Sequence, residues 1–302
     1  MITNMLLAVA ALCAIPLAAQ VSEVPAPTEA AASAVSAPRF DYVQLRTGVR
    51  LRYAEQGNPD GEPVILLHGL TDSWFSFSRV MPLLPASLRV FALDQRGHGD
   101  SDRPAGGYTV ADFAEDVLAF LDAMEIDQAT VIGHSMGAFV AQRVAIIAPD
   151  RVERLVLLGG APSARNDVMF GLQSELAALP GAMPDDFLRA FQYSTVHAPV
   201  PTAFIDAAIR ESAKVPTRVA RSATDGLLAS GDSARLGSIR APTLVVWGDR
   251  DAIFGQAARA YQRRISGAEM RPYRDVGHAP HWESPDRVVQ DLLAFVARTG
   301  SR

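Results

Sequence analysis

The chain is almost without cysteine: Cys13 is the only one among 302 residues. It lies in an N-terminal apolar run, so a disulfide framework and a thiol nucleophile further along are excluded. Basic runs are missing as well. With histidines neutral the net charge is −5, and no cluster of Lys or Arg offers a surface to nucleic acid or to anionic membranes. No H-E-x-x-H motif occurs, and His278-x-x-His281 reads as a loop pair rather than as ligands. The sequence therefore points to no metal and no other cofactor. Uninterrupted apolar stretches of spanning length are absent too, since residues 5–19 are broken by Pro16 and too short to cross a bilayer. This run suits the core of a secretory signal peptide over residues 1–20, with Leu17-Ala18-Ala19-Gln20 near the cleavage point. That predicts export to the periplasm or beyond; the lack of Lys or Arg ahead of the run keeps an N-terminal membrane tether or a cytoplasmic location as alternatives. Residues 21–38, rich in Ala, Pro and Ser, read as a flexible linker.

What is present is alternation on a scale that builds a core. Hydrophobic residues make up 49% and charged residues 20% of the chain, the balance of an ordinary globular domain. Residues 40–45 and 50–55 alternate like an antiparallel hairpin around Thr47-Gly48. Apolar strands at 64–67, 89–93, 130–133, 154–158, 243–247 and 269–273 then alternate with helical segments, which predicts an α/β fold with a mostly parallel central sheet and helices on both faces. In residues 110–124, Phe113, Val117, Phe120, Leu121 and Met124 recur at spacings of three or four and face that core. One insertion breaks the pattern. Pro-punctuated helical stretches at 185–193, 202–212 and 217–229 read as a helical cap at about 161–240, within a domain running from 39 to 302.

The pentapeptide Gly133-His134-Ser135-Met136-Gly137 carries the chemistry. An apolar strand precedes it and a helix-forming run follows, so Ser135 falls on a strand-to-helix turn where small neighbours let the hydroxyl project. A nucleophilic serine needs a base, and the chain has six histidines. His68 and His98 belong to glycine-flanked loops, His134 diverges from the serine bonded to it, and His197 falls within the cap. His278, in Val276-Gly277-His278-Ala279-Pro280, follows a strand and precedes the last helix, and is the base of choice; His281 competes and otherwise reads as a rim or packing residue. The segment Trp247-Gly248-Asp249-Arg250-Asp251 offers two acids, of which Asp251 has room to turn back toward His278 while Asp249 braces the loop. Backbone amides of Leu70 and Met136 are placed to hold an oxyanion, each such donor being worth about 3 kcal/mol.

These motifs resemble the α/β-hydrolase fold family, in its serine esterase-like branch with a helical cap. The resemblance rests on His68-Gly69, Asp94-Gln95-Arg96-Gly97-His98-Gly99-Asp100-Ser101, the Ser135 pentapeptide, Trp247 to Asp251 and Gly277-His278, in the family's order. It implies a Ser135, His278 and Asp251 triad, an acyl-enzyme intermediate and a structural role for Asp94. Haloalkane dehalogenases and epoxide hydrolases of this type carry Asp where this chain has Ser135, so the resemblance argues against an alkyl-enzyme route. The expected activity is cleavage of small to medium carboxylic esters. Alternatives are a carbon–carbon bond hydrolase acting on meta-cleavage products, a lactonase, a cofactor-free haloperoxidase or perhydrolase, and, more remotely, a non-catalytic binder on the same fold. Within the cap, Phe170, Phe187, Phe191, Phe204 and Leu227 are expected to roof the pocket. Trp74, Phe170, Phe191, His197 and His281 are the candidate substrate-binding residues. The expected partner is a small-molecule ester, with no nucleic acid and no stable membrane insertion of the mature domain; oligomeric state is left open.

Overall fold

The computed structural model describes residues 37–299. The signal-peptide reading of 1–20 and all but the last two residues of the linker reading lie outside the described residues. The hairpin forms as expected from β1 (Arg39–Gln44) and β2 (Arg50–Gly57). It is followed by β3 (Pro63–Leu67), β4 (Arg89–Leu93), α1 (Val110–Ala123), β5 (Ala129–His134), α2 (Met136–Ile147) and β6 (Val152–Leu158). The inserted helices are α3 (Asp167–Ala178), α4 (Asp185–Ser194), α5 (Thr202–Ser212) and α6 (Thr217–Ala229). Then come β7 (Thr243–Gly248), α7 (Gly255–Ala258), α8 (Tyr261–Arg264), β8 (Glu269–Tyr273), α9 (Pro280–Glu283) and α10 (Pro285–Thr299). The eight strands form one sheet in the order β1-β2-β4-β3-β5-β6-β7-β8. Only β2 runs against its neighbours; the remaining pairs are parallel.

Strand periodicity divides the core between the two faces of this sheet. Ile65, Leu67, Phe91, Val131, Leu155 and Val245 belong to the core that contains Phe113, Val117 and Phe120 of α1 and Phe139 and Val144 of α2. Their alternates Leu66, Ala92, Ile132, Val156, Leu244 and Val246 pack with Val288, Leu292 and Phe295 of α10. Each such side chain, removed from water, contributes about 1.5–3 kcal/mol. Helix α1 starts at a reciprocal cap: the Thr109 side chain accepts from the Asp112 amide while the Asp112 side chain accepts from the Thr109 amide.

The insertion between β6 and β7 is helical, and three of its helices match the stretches read from the sequence. The fourth, α3, was not anticipated; Met169, Leu172 and Leu176 recur along it at spacings of three and four, with Met169 and Leu176 buried and Leu172 packed against the core. Parallel strands place the loops after β3, β5, β7 and β8 at one edge of the sheet, where a site can be assembled from distant parts of the chain. Among the described residues no helix is long and apolar enough to cross a membrane, and no three His, Cys, Asp or Glu side chains group as a metal site.

Candidate active site

Ser135 sits between β5 and α2 with φ 51° and ψ −115°, a conformation that costs a non-glycine residue of order 1–3 kcal/mol. Its surroundings hold it there. The Ser135 amide donates to the Leu158 carbonyl on β6 at 3.0 Å, the Ser135 carbonyl accepts from Ala138 at 2.9 Å, and the Gly137 amide donates to the His68 carbonyl at 3.1 Å. Gly133 is obligatory at this turn, because a Cβ there would lie 2.1 Å from the Gly137 carbonyl oxygen.

The loops after β7 and β8 are zipped together because those strands are parallel neighbours. Asp249 donates its amide to the Tyr273 carbonyl at 2.8 Å and Arg250 to that of Val276 at 3.0 Å. Contact is so close that a Cβ on Gly248 would lie 2.0 Å from the Val276 oxygen. This zip brings Asp251 to His278. The His278 Nδ1 donates to Asp251 Oδ2 at 3.0 Å, while Oδ1 accepts the amides of Ile253 at 2.8 Å and Phe254 at 3.0 Å. Burial opposes the charge on Asp251, but His278 and the two amides outweigh it and hold the carboxyl below its ordinary value. With Nδ1 committed to the carboxylate, Nε2 is left as the ring's acceptor. Asp249 is exposed and its Oδ1 accepts from the Asp275 amide at 2.7 Å, a brace for the loop.

Two contacts absent from the motifs hold the His278 loop against the inserted helices. The carbonyl of Thr195, just past α4, accepts from the amides of His278 at 2.8 Å and Ala279 at 3.1 Å. The Glu283 carboxylate accepts from the Gly277 amide at 2.9 Å to each oxygen, from His197 at 3.0 Å and from Ala198 at 2.5 Å.

A cavity of about 470 Å³ is bordered by Ser135 and His278 together with Leu70 and Met136. Among the described residues neither the Leu70 nor the Met136 amide donates to a backbone carbonyl, which leaves both for a developing oxyanion. Five aromatic side chains, Phe139, Phe187, Phe191, Phe254 and Trp282, supply much of the wall. Of the substrate-binding candidates only Phe191 reaches it. Trp74 turns to the hairpin side, 4.7 Å from the Phe40 ring, because its amide is anchored on Asp94 Oδ1 at 2.7 Å. Phe170 lies on the outer face of α3, exposed under the Arg165 guanidinium. His197 is exposed and meets the site only through its backbone. His281 is fully buried behind His134, with ring centroids 4.3 Å apart and Nε2 3.0 Å from Ser76 Oγ. Among the expected roof residues Phe187 and Leu227 line the cavity, whereas Phe204 is buried against Phe75 and Trp282.

Asp94 accepts from the amides of Trp74 and Asp100 and from Arg52, and so ties the segment after β3 and the loop after β4 to strand β2. Asp72 is a group that no motif singled out. It is buried, borders the cavity and bonds Gln192 of α4, a pairing across 120 residues that no local pattern announces.

A serine on a strained strand-to-helix turn, with an aspartate-bound histidine delivered from later loops of the same sheet edge, defines an architecture of the hydrolase class. A family model for the alpha/beta hydrolase fold matches residues 62–285, and the chain belongs to that family. It is 31% identical over 265 residues to the dihydrolipoyllysine-residue acetyltransferase component of the acetoin cleaving system of Pseudomonas putida, covering 83% of this chain and 68% of that protein. It is 30% identical over 296 residues to a 2-hydroxy-6-oxononadienedioate/2-hydroxy-6-oxononatrienedioate hydrolase of Paraburkholderia xenovorans, covering 91% of this chain and 99% of that protein. An esterase from Exiguobacterium antarcticum superposes with a TM-score of 0.79 at 20% identity, over 86% of this chain and all of that one, a likeness of fold.

Proposed function

We propose that the protein is a serine hydrolase that cleaves carboxylic esters of small to medium size through an acyl-enzyme. The observation that carries this reading is the 3.0 Å bond from His278 Nδ1 to Asp251, made while His278 and Ser135 border one largely apolar cavity. In the proposed cycle the Ser135 hydroxyl attacks the ester carbonyl as His278 Nε2 takes its proton, and the Leu70 and Met136 amides receive the oxyanion. The imidazolium, stabilised by Asp251, then protonates the departing alcohol. Water repeats the sequence on the acyl group and frees Ser135. The helices α3, α4 and α6, which contribute much of the wall, act in this reading as a cap that sets substrate size. The test is a fluorophosphonate label read by mass spectrometry together with turnover of short p-nitrophenyl esters. Labelling at Ser135 with ester cleavage is expected; an unlabelled Ser135 in folded protein that cleaves no ester overturns the reading. A panel of esters, lactones and meta-cleavage dienones then ranks the neighbouring activities, the dienones because the Paraburkholderia relative is named for one.

Glu283 is expected to matter without touching substrate, as a positioning residue that fixes Gly277 and the inserted segment at 197–198. Glu283→Ala leaves three amides without their acceptor and lets the His278 loop drift, for which a loss of about 10²-fold in kcat is expected. Glu283→Gln, which keeps one acceptor oxygen, should recover part of it with KM little changed. Wild-type kcat in Glu283→Ala would remove the residue from this role.

A further inference from the structure

One carboxyl group in the cavity is unused by the reaction just described. Asp72, on the loop after β3, is 5% exposed and borders the cavity. It flanks the serine: the point where a Cβ would sit on Gly69 is 3.1 Å from Asp72 Oδ2, 3.1 Å from His134 Nδ1 and 3.3 Å from Ser135 Cβ. Its side-chain partners are neutral donors, Gln192 Nε2 on Oδ1 at 3.0 Å and Ser76 Oγ on Oδ2 at 3.3 Å. Burial raises its pKa to about 6 against those hydrogen bonds, so at neutral pH the group is mostly ionised.

Apart from His278, whose charge favours the ionised Asp72, no side chain of the cavity wall among the described residues offsets that charge. Among the described residues no Lys or Arg borders the cavity. His134 does, but burial holds its pKa well below the ordinary value and keeps it uncharged at neutral pH. Glu175 of α3 adds a second, exposed acid at the wall. Gln192 turns its donors to Asp72 and Ser212, so they are not free to meet a ligand anion. A ligand carboxylate brought in here would be desolvated beside a like charge, with no Lys or Arg of the described cavity wall to pair with. A neutral ligand meets no such penalty, and a cationic one gains from Asp72 and from the aromatic walls.

We propose that Asp72 makes this cavity select uncharged and cationic esters and exclude esters that carry a second, anionic group. The inference rests on the ester-hydrolase reading and deepens it by naming the substrate class. A like charge about 6 Å away at an effective dielectric constant near 20 implies discrimination of about 100-fold.

The test uses three p-nitrophenyl esters of matched length: the pentanoate, the monoglutarate and the 4-(trimethylammonio)butanoate. At pH 7.5 the wild-type protein is expected to favour the neutral and cationic esters over the monoglutarate by about 100-fold in kcat/KM. Asp72→Asn, which can still accept from Gln192, is expected to shrink that gap to about tenfold or less, and Asp72→Ser to act in the same direction. Equal kcat/KM for pentanoate and monoglutarate in the wild type overturns the proposal, as does an undiminished gap in both variants. Calorimetric binding of the same esters to Ser135→Ala protein separates this inference from the reading beneath it. Charge-selective binding with no cleavage by the wild type defeats the ester-hydrolase reading and leaves the selection standing. Cleavage without charge preference does the reverse.

Discussion

Asp251→Asn is expected to lower kcat for ester cleavage by about 10⁴-fold while leaving the fold intact. The reason lies in the hydrogen-bond inventory of the pair. In the wild type Asp251 Oδ1 is taken by the Ile253 and Phe254 amides and Oδ2 by His278 Nδ1. An asparagine keeps its single oxygen on the two amides and is left with an NH₂ facing His278. That group cannot accept from Nδ1, so the ring turns to the tautomer with its proton on Nε2, where the base needs a lone pair. The control is Asp249→Asn. Asp249 is exposed, and its Oδ1 braces Asp275 and meets the exposed Arg250 at 3.8 Å, so kcat should stay within about twofold of wild type and stability should change little, as for most surface substitutions. Active-site-titrated rates and melting temperatures of the two variants decide the matter. A 10⁴-fold loss at Asp249 with none at Asp251 would transfer the role to the earlier aspartate.

The geometry that brings Ser135, Asp251 and His278 to one sheet edge was legible in the sequence for a physical reason. Ser135 is announced by local geometry: the strand, the two glycines and the helix lie within a few residues of it. Asp251 and His278 each follow a β-branched or apolar strand, and parallel pairing of β7 with β8 makes their meeting a consequence of topology. The strand positions followed from period alone, β4 and β8 to the residue. Side-chain direction did not. Trp74 and Phe170 were candidate substrate-binding residues, Phe170 as part of the cap's roof, but the Trp74 ring packs on Phe40 and the outer face of α3 carries Phe170. His281, a substrate-binding candidate whose other reading was a rim or packing residue, packs buried behind His134. Helix α3 was missed because its stripe of Met169, Leu172 and Leu176 is blurred by the exposed apolar side chains Val168 and Phe170. Asp72 was invisible for a different reason, since its meaning depends on Gln192.

The inserted helices and the base are mechanically joined. Thr195 holds the backbone of His278 and Ala279 directly, and Glu283 ties Gly277 to residues 197–198. The C-terminal end of α4 therefore belongs to the rigid part of the site. Helix α3, with two buried residues in twelve, is held by less packing.

The second large effect expected is on stability, and it comes from histidines that do no chemistry. His68, His98, His134 and His281 are buried. Burial depresses the pKa of each from the ordinary 6.5, to about 4 for His98 and about 3 for His281, and well below the ordinary value for His68 and His134. Hydrogen bonding explains why these rings resist a proton. His68 Nε2 accepts from the Gln95 amide, while His98 Nε2, His134 Nδ1 and His281 Nδ1 have no partner among the described residues. Protonation would add an N–H with nothing to receive it, and the His134 and His281 rings are 4.3 Å apart. A base with a depressed pKa binds its proton more readily in the unfolded chain, so its contribution is complete above pH 6.5 and lost as pH falls toward the folded value. At pH 5 His98 and His281 each give up about 2 kcal/mol, and His68 and His134 shift stability in the same direction, a loss to be set against the 5–15 kcal/mol that holds a typical domain folded. Asp72 has the opposite sign. Its raised pKa of about 6 means that acid relieves the cost of burying its charge, which returns only about 1 kcal/mol over the same interval. The melting temperature should therefore fall steeply between pH 6.5 and pH 4.5. His98→Gln should melt lower than wild type at pH 7.5 but along a shallower acid slope. A melting temperature that stays level from pH 7 to pH 5 would mean that these rings gain protons in the folded state as easily as in the unfolded chain, and the orphaned ring nitrogens would then need acceptors that the packing around them does not supply.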